Sequence, residues 1–134
     1  KQGDIERIGC GNIHLVGRLG RQDLAALMSQ ADAMALPSRS EGFATTLLEA
    51  AACATPAIVT PVGGTDELVS DERFGTIIPN ARTETVEAAL REAARNPQRL
   101  AEQGENVARR VRAEYSWRRT AERALSACRK ANEK

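Results

Sequence analysis

Ala33-Met34-Ala35-Leu36-Pro37-Ser38-Arg39-Ser40-Glu41-Gly42-Phe43-Ala44-Thr45-Thr46-Leu47-Leu48-Glu49-Ala50 is the stretch on which the fold of this chain turns. The short apolar run Ala33 to Pro37 reads as a buried strand. Ser38, Arg39 and Ser40 make a polar loop, and the spacing Leu47, Leu48, Ala51, Ala52 is that of an amphipathic helix. Glu41 therefore lies on a loop at the carboxyl end of a strand, and Glu49 lies inside the helix that follows. Gly42 lets the backbone turn sharply or lets a ligand approach it closely. The amides of Phe43, Ala44, Thr45 and Thr46 leave the helix start without helical partners, where the helix dipole favours an anion. Open α/β sheets bind ligands at this carboxyl edge. Two carboxylates around an anion seat suit a ligand that is both sugar and phosphate.

A purely structural reading of the same residues stands beside this one. Thr46-x-x-Glu49 fits a capping box contributing about 1 kcal/mol, which would make Glu49 a helix-start device. Glu41 would then be a solvated loop carboxylate.

Four ordered blocks carry a resemblance. The segment Ala31 to Phe43, continued by Leu47-Leu48-Glu49-Ala50, resembles the donor-binding signature of the group 1 retaining glycosyltransferases, in which two glutamates stand seven residues apart as Glu41 and Glu49 do. Thr55 to Val69, with Pro61-Val62-Gly63-Gly64, is similar to the next block of that family. Gly75 to Pro79 and the late Tyr115-Ser116-Trp117 are similar to the last two. The likeness runs from about His14 to Lys130. It implies the GT-B architecture of two Rossmann domains, with this chain as an incomplete C-terminal half: an α/β, Rossmann-like parallel sheet with helices on both faces.

The resemblance also assigns roles. Glu41 is the catalytic candidate, set at the donor sugar near the reacting carbon, and Glu49 takes the ribose hydroxyls. Gly42, Phe43, Ala44 and Thr45 seat the diphosphate, and Gly17, Arg18 and Leu19 lie near the nucleotide base. The Gly63-Gly64 loop falls beside the donor. The implied donor is a nucleotide-diphosphate sugar, with no cofactor and no metal, in keeping with the absence of a DxD motif. The implied partner is an acceptor-binding N-terminal domain. The basic Arg and Lys pair that neutralises the diphosphate in the family falls in a region before this stretch, so the stretch alone is expected to be inactive. A sugar-nucleotide epimerase of the same architecture is the competing enzyme, against which a single His counts. A non-catalytic α/β interaction module is the competing reading from another class. Ala54 departs from the family, which usually has Gly there.

Composition sets the outer bounds. The 134 residues, 42% of them hydrophobic, suit one domain, residues 1–134, with a core of its own. No apolar run approaches the ~20 residues of a membrane span. The polar start, without Met or leader, reads as the interior of something longer, and the expected compartment is the cytoplasm. Cys10, Cys53 and Cys128 are odd in number and far apart, which reads as reduced, inert thiols rather than a disulfide frame or zinc site. Eight basic residues against Glu114 and Glu122 give the segment Arg109 to Lys130 a charge of +6, leaving −5 for the rest of a chain with net +1. That basic end suits a domain interface, a solvated face, or anionic lipid on the inner face of a membrane. Scarce aromatics argue against nucleic acid. There is no P-loop and no Ser-His-Asp or Cys-His set.

Along the chain, Lys1 to Ile8 reads as helix and Gly9 to Asn12 as a turn. Ile13 to Val16 reads as a strand closed by Gly17 to Gly20. A helix from Gln22 to Ala31 is expected to turn Leu24, Leu27 and Met28 inward. Strands follow at Ala33 to Leu36, Ala57 to Thr60 and Thr76 to Ile78, with Thr65 capping a short helix. Helices begin at Thr83, at Pro97 behind an Asn96 cap, and after a Ser116 cap. The alternation indicates a parallel sheet. In the strand order 3-2-1-4-5-6, missing strands would lie between Ile13–Val16 and Ala33–Leu36, leaving an edge open to other chains. The apolar stripe of the last helix, led by Trp117, is expected to be under-buried and prone to self-association.

Overall fold

Ala57, Ile58 and Val59 are all buried, as a parallel strand covered on both faces must be. They form the middle strand of the sheet. The computed structural model describes residues 12–132. It places β1 at Met34–Leu36, β2 at Ala57–Val59 and β3 at Gly75–Ile77, parallel and in the order β1-β2-β3. Met34 lies opposite Ala57, and Ala57 opposite Gly75. The described helices are α1 (Arg21–Gln30), α2 (Thr45–Ala52), α3 (Thr65–Leu68), α4 (Thr83–Arg95), α5 (Pro97–Glu114) and α6 (Trp117–Asn132). Each strand is followed by at least one helix, so the alternation seen in the sequence is the topology.

Ala57 and Val59 face a core shared with Leu47 and Ala51 of α2, Leu68 and Val69, and Val107 and Val111 of α5. Ile58 points the other way, into a cleft of about 580 Å³ that it lines with Ala33, Leu90, Ala93, Pro97 and Leu100. Helices thus cover both faces, as expected. β1 pairs only with β2 among the described residues, so its far edge is open.

Helix α5 clamps the connection between α3 and β3. Gln103 Nε2 donates to the carbonyls of Glu72 at 2.8 Å and Gly75 at 3.0 Å. Arg110 donates to Leu68 O at 3.2 Å and Ser70 Oγ at 2.7 Å, and its guanidinium stacks 4.7 Å from the Phe74 ring centre. At the other end of α2, Ala54 closes the helix at φ 62. That left-handed conformation costs a residue with a Cβ about 1–2 kcal/mol, which gives a physical reason for the glycine expected there. The turn is pinned by α5, because a Cβ on Gly104 would collide with the Ala54 carbonyl oxygen.

Several expectations are corrected. Ile13 to Val16 is not a strand: it is irregular, with Ile13, Leu15 and Val16 46%, 55% and 56% exposed. A strand needs a neighbour to satisfy its amides, and none of the described residues supplies one. Leu27 is exposed while Met28 is buried and Leu24 half-buried, because the contact of α1 with α2 follows the narrow i, i+4 stripe. Thr65 is the first residue of α3 rather than its cap, Gly64 holding that position. Asn96 does precede Pro97 at the start of α5, but its side chain donates back to Glu92 Oε1 at 2.7 Å instead of capping. Ser116 does cap α6, accepting from the Arg119 amide at 3.3 Å. Cys53 is half-buried and Cys128 exposed, so burial does not shield the latter. Expectations for Lys1 to Gly11, Cys10 among them, lie outside the described residues.

Candidate functional site

Residues that precede and follow α2 build the site at the carboxyl ends of β1 and β2. Chain leaving β1 turns at Ser38, whose amide donates to Leu36 O at 2.9 Å. Chain leaving β2 turns at Thr60, whose Oγ1 donates to the Ser38 carbonyl at 2.5 Å. The two loops are therefore tied at their roots. Beyond that tie, Pro61 to Gly64 folds into a turn centred on the buried Thr65 hydroxyl, which lies 2.6 Å from Thr60 O and 2.8 Å from Val62 O and accepts from the Val62 amide at 3.0 Å. Its one proton serves one carbonyl at a time. This internal staple, not a helix cap, is what Thr65 does.

The glycine turn then lies against the glutamate loop. Gly63 has φ +55, and a Cβ there would collide with the carbonyl oxygen of Glu41. A Cβ on Gly64 would sit 3.2 Å from the Phe43 ring. Glu41 is half-buried, and its Oε1 accepts from Ser38 Oγ at 2.5 Å. Gly42 is exposed, is not left-handed, and would meet nothing within 4 Å if given a Cβ. Gly42 does sit in a bend, but one that does not require glycine, and the open space above it remains available to a ligand.

Helix α2 starts at Thr45, with Ala44 in the cap position and no side chain capping it. The capping box of Thr46 and Glu49 does not form, which removes the structural role weighed for Glu49. Amides of Ala44, Thr45 and Thr46 donate to no acceptor among the described residues, and Leu47 is the first to bond back, to Ala44 O at 2.9 Å. The site is a bare helix N-terminus with Glu41 at its mouth and Glu49 one turn on, exposed on the flank. Among the described residues neither carboxylate pairs with a basic side chain. Away from the site, the Arg73 guanidinium holds Asp71 well below the usual carboxylate range and is itself raised by Asp71, and burial pushes the Tyr115 phenol up.

Glu49 also lines a cleft of about 370 Å³ between α1 and α2, with Arg21, Leu24, Met28, Ala52 and Cys53. Gly17, Arg18 and Leu19 run into the start of α1, Gly17 at φ +66, Arg18 exposed and Leu19 half-buried. The packing of α1 on α2 thus sets this loop on the side of the site where Glu49 stands. Sequence reasoning missed Ser38, Thr60 and Thr65 as the groups that hold the two loops. The spacing Ser38-x-x-Glu41 was the available signal for the first. No group of three or more His, Cys, Asp or Glu among the described residues is placed to hold a metal ion.

A small parallel sheet with its loops gathered at the carboxyl edge, around a bare helix start and two acids, defines a Rossmann-like ligand-binding domain. Residues 6–110 match the family described as glycosyl transferases group 1, and the chain belongs to that family. It is 38% identical over 112 residues to the D-inositol 3-phosphate glycosyltransferase of Saccharomonospora viridis, covering 84% of this chain and 26% of that protein. The protein of the same name from Mycobacteroides abscessus is 37% identical over 109 residues, 79% of this chain and 23% of that one. Among solved structures, sucrose-phosphate synthase from Thermosynechococcus elongatus superposes with a TM-score of 0.86 at 27% identity, over 98% of this chain and 33% of that one. The fold is that of part of a GT-B half. The chain spans about a quarter of the length of the curated relatives it matches. The epimerase reading draws no support from these likenesses.

Proposed function

We propose that this chain is the donor-binding part of a longer retaining hexosyltransferase that moves a sugar from a nucleotide-diphosphate sugar to an acceptor without a metal ion. The observation that carries the reading is the bare N-terminus of α2 set between Glu41 and Glu49, on loops locked together at Gly63. In transfer, the bond from the anomeric carbon to the diphosphate oxygen breaks and the acceptor hydroxyl oxygen bonds to the same face of the sugar, its proton passing to the leaving diphosphate. The leaving diphosphate gathers negative charge, which amides at a helix start stabilise. Glu41 accepts hydroxyl hydrogen bonds from the sugar, and Glu49 accepts them from the ribose.

Part of the work falls to residues outside this chain. The proposed basic pair and acceptor domain belong to the remainder of the polypeptide, and these 134 residues form one partial domain that is inactive alone. The isolated chain is expected to bind UDP, GDP or their sugars only weakly. Loss of two charge-assisted phosphate contacts at about 1.5–3 kcal/mol each takes a micromolar site to roughly millimolar or weaker. Calorimetry or saturation-transfer NMR with these nucleotides is the test. Complete absence of saturation transfer to ribose and sugar protons at millimolar ligand would sink the donor-binding reading. Micromolar binding would show that the missing Arg and Lys have substitutes in this chain, with Arg18 and Arg39 the first to test by mutation.

Helix α6 is the proposed contact with the acceptor domain. Trp117 is 90% exposed and Leu125 60%, so an apolar stripe faces solvent. Arg118, Arg119, Arg123, Arg129 and Lys130 share this helix and provide a second surface suited to anionic lipid, which would place a cytoplasmic enzyme peripherally at a membrane. No helix among the described residues is long and apolar enough to cross one. Free of its partner domain, the chain is expected to self-associate through the stripe, and Trp117→Ser with Leu125→Ser to restore a monomer. Sedimentation velocity showing a monomer for the unsubstituted chain at high concentration would refute this.

A further inference from the structure

Through its backbone Ser38 helps tie the two loops, and its hydroxyl is the only described side chain bonded to Glu41. Its Oγ donates to Glu41 Oε1 at 2.5 Å. Ser38 is itself held on both sides of its peptide: its amide reaches back to Leu36 O at 2.9 Å, and its carbonyl accepts from Thr60 Oγ1 at 2.5 Å. The donor that grips Glu41 is thus anchored to the ends of β1 and β2. Glu41 is further confined because its backbone carbonyl abuts Gly63. A half-exposed glutamate on a loop would otherwise sample several rotamers, and each ligand encounter would have to select one. The serine proton takes one acceptor site of Oε1, so Oε2 is the oxygen with both of its sites open to an incoming hydroxyl.

We propose that Ser38 is the positioning residue for Glu41, holding Oε1 so that Oε2 is the oxygen presented to the donor sugar. The inference rests on the reading of Glu41 as the donor-sugar residue. A preorganised acceptor matters most where charge and geometry change during reaction, so the loss falls on turnover rather than on donor binding.

The experiment uses the full-length enzyme that carries this chain, with S38A, S38T, E41Q and the double variant S38A/E41Q, and thermal midpoints measured alongside. S38A is expected to lower kcat about tenfold with donor KM unchanged within twofold. S38T, which keeps the hydroxyl, is expected to restore most of kcat. In the E41Q background S38A should cause no further loss, because the carboxylate it positions is gone. Should S38A fail to fold, S38C, close to serine in size but a weak donor, must show the same loss of kcat. If S38A lowers kcat by the same factor in the E41Q background, or S38T does not rescue a folded enzyme, the positioning role is overturned. If E41Q leaves turnover intact, the reading of Glu41 falls first. If E41Q is impaired and S38A is not, only the role of Ser38 falls.

Discussion

Replacing Glu41 by alanine in the full-length enzyme is expected to lower turnover by roughly 10²–10³-fold, the usual effect of removing one preorganised electrostatic contact to a reacting centre. Binding of the nucleoside diphosphate alone should hardly change, because Glu41 sits at the mouth of the α2 amides, on the side proposed for the sugar. Glu49→Ala should do the reverse. A carboxylate that accepts from two vicinal ribose hydroxyls contributes about 1.5–3 kcal/mol through each charge-assisted bond, discounted here because Glu49 is exposed. A weakening of nucleotide binding on the order of 10–100-fold follows, with turnover at saturating donor near that of the parent. Steady-state kinetics on both variants, with calorimetry of the nucleotide alone, separate the two effects. Two variants that bind and turn over like the parent would end the functional reading of the pair. Such a result would favour a non-catalytic interaction module, although the structure gives Glu49 no capping role.

Gly63→Ala is expected to damage both stability and turnover, whereas Gly42→Ala should leave stability unchanged. At φ +55 a Cβ costs about 1–2 kcal/mol from the left-handed conformation alone. The collision with the Glu41 backbone adds a steric cost of about 1–3 kcal/mol, since the neighbour is main chain and cannot rotate aside. A total of roughly 2–5 kcal/mol is a large share of the 5–15 kcal/mol that holds a domain together. Whatever relaxation occurs moves Glu41, so turnover should fall with stability. Gly42 is the contrasting case, with open space where a Cβ would go. Gly42→Ala should melt like the parent but bind donor more weakly, because the added methyl occupies the space left for the ligand. Denaturant titration with donor kinetics on both variants checks the contrast. A Gly63→Ala protein that melts with the parent would show that the two loops are not locked as described.

Much of this protein was legible from local patterns. The continuous apolar run Ala57 to Val59 had to be buried on both faces, and β2 is. Pro97 after Asn96 marked the start of α5, and Ser116 the cap of α6, because each signal concerns amides within one turn of the residue that carries it. The placement of Glu41 on a loop and Glu49 in a helix follows from periodicity over a dozen residues. The family assignment follows from four such blocks in order.

What only the tertiary structure decided is who meets whom. Ile13 to Val16 has a strand's composition, but a strand's amides are satisfied by a neighbour, and composition does not say whether one is there. Leu24, Leu27 and Met28 are equivalent by spacing rules, and the angle of α1 on α2 buries one, half-buries another and exposes the third. The Thr65 hydroxyl satisfies the rule for a cap equally well by bonding back to Thr60 and Val62, and only the path of the Pro61 to Gly64 turn selects the second. The same holds at the centre of the site. That Gly63 must be glycine depends on Glu41, which is far from it in sequence and meets it because β1 and β2 are neighbours in register. Sequence alone thus determined the elements and the acids they carry, since helix and strand signals act over one or two turns. Tertiary structure alone determined how those acids are held, since a hydroxyl's partner or a glycine's necessity comes from whichever segment the sheet brings alongside.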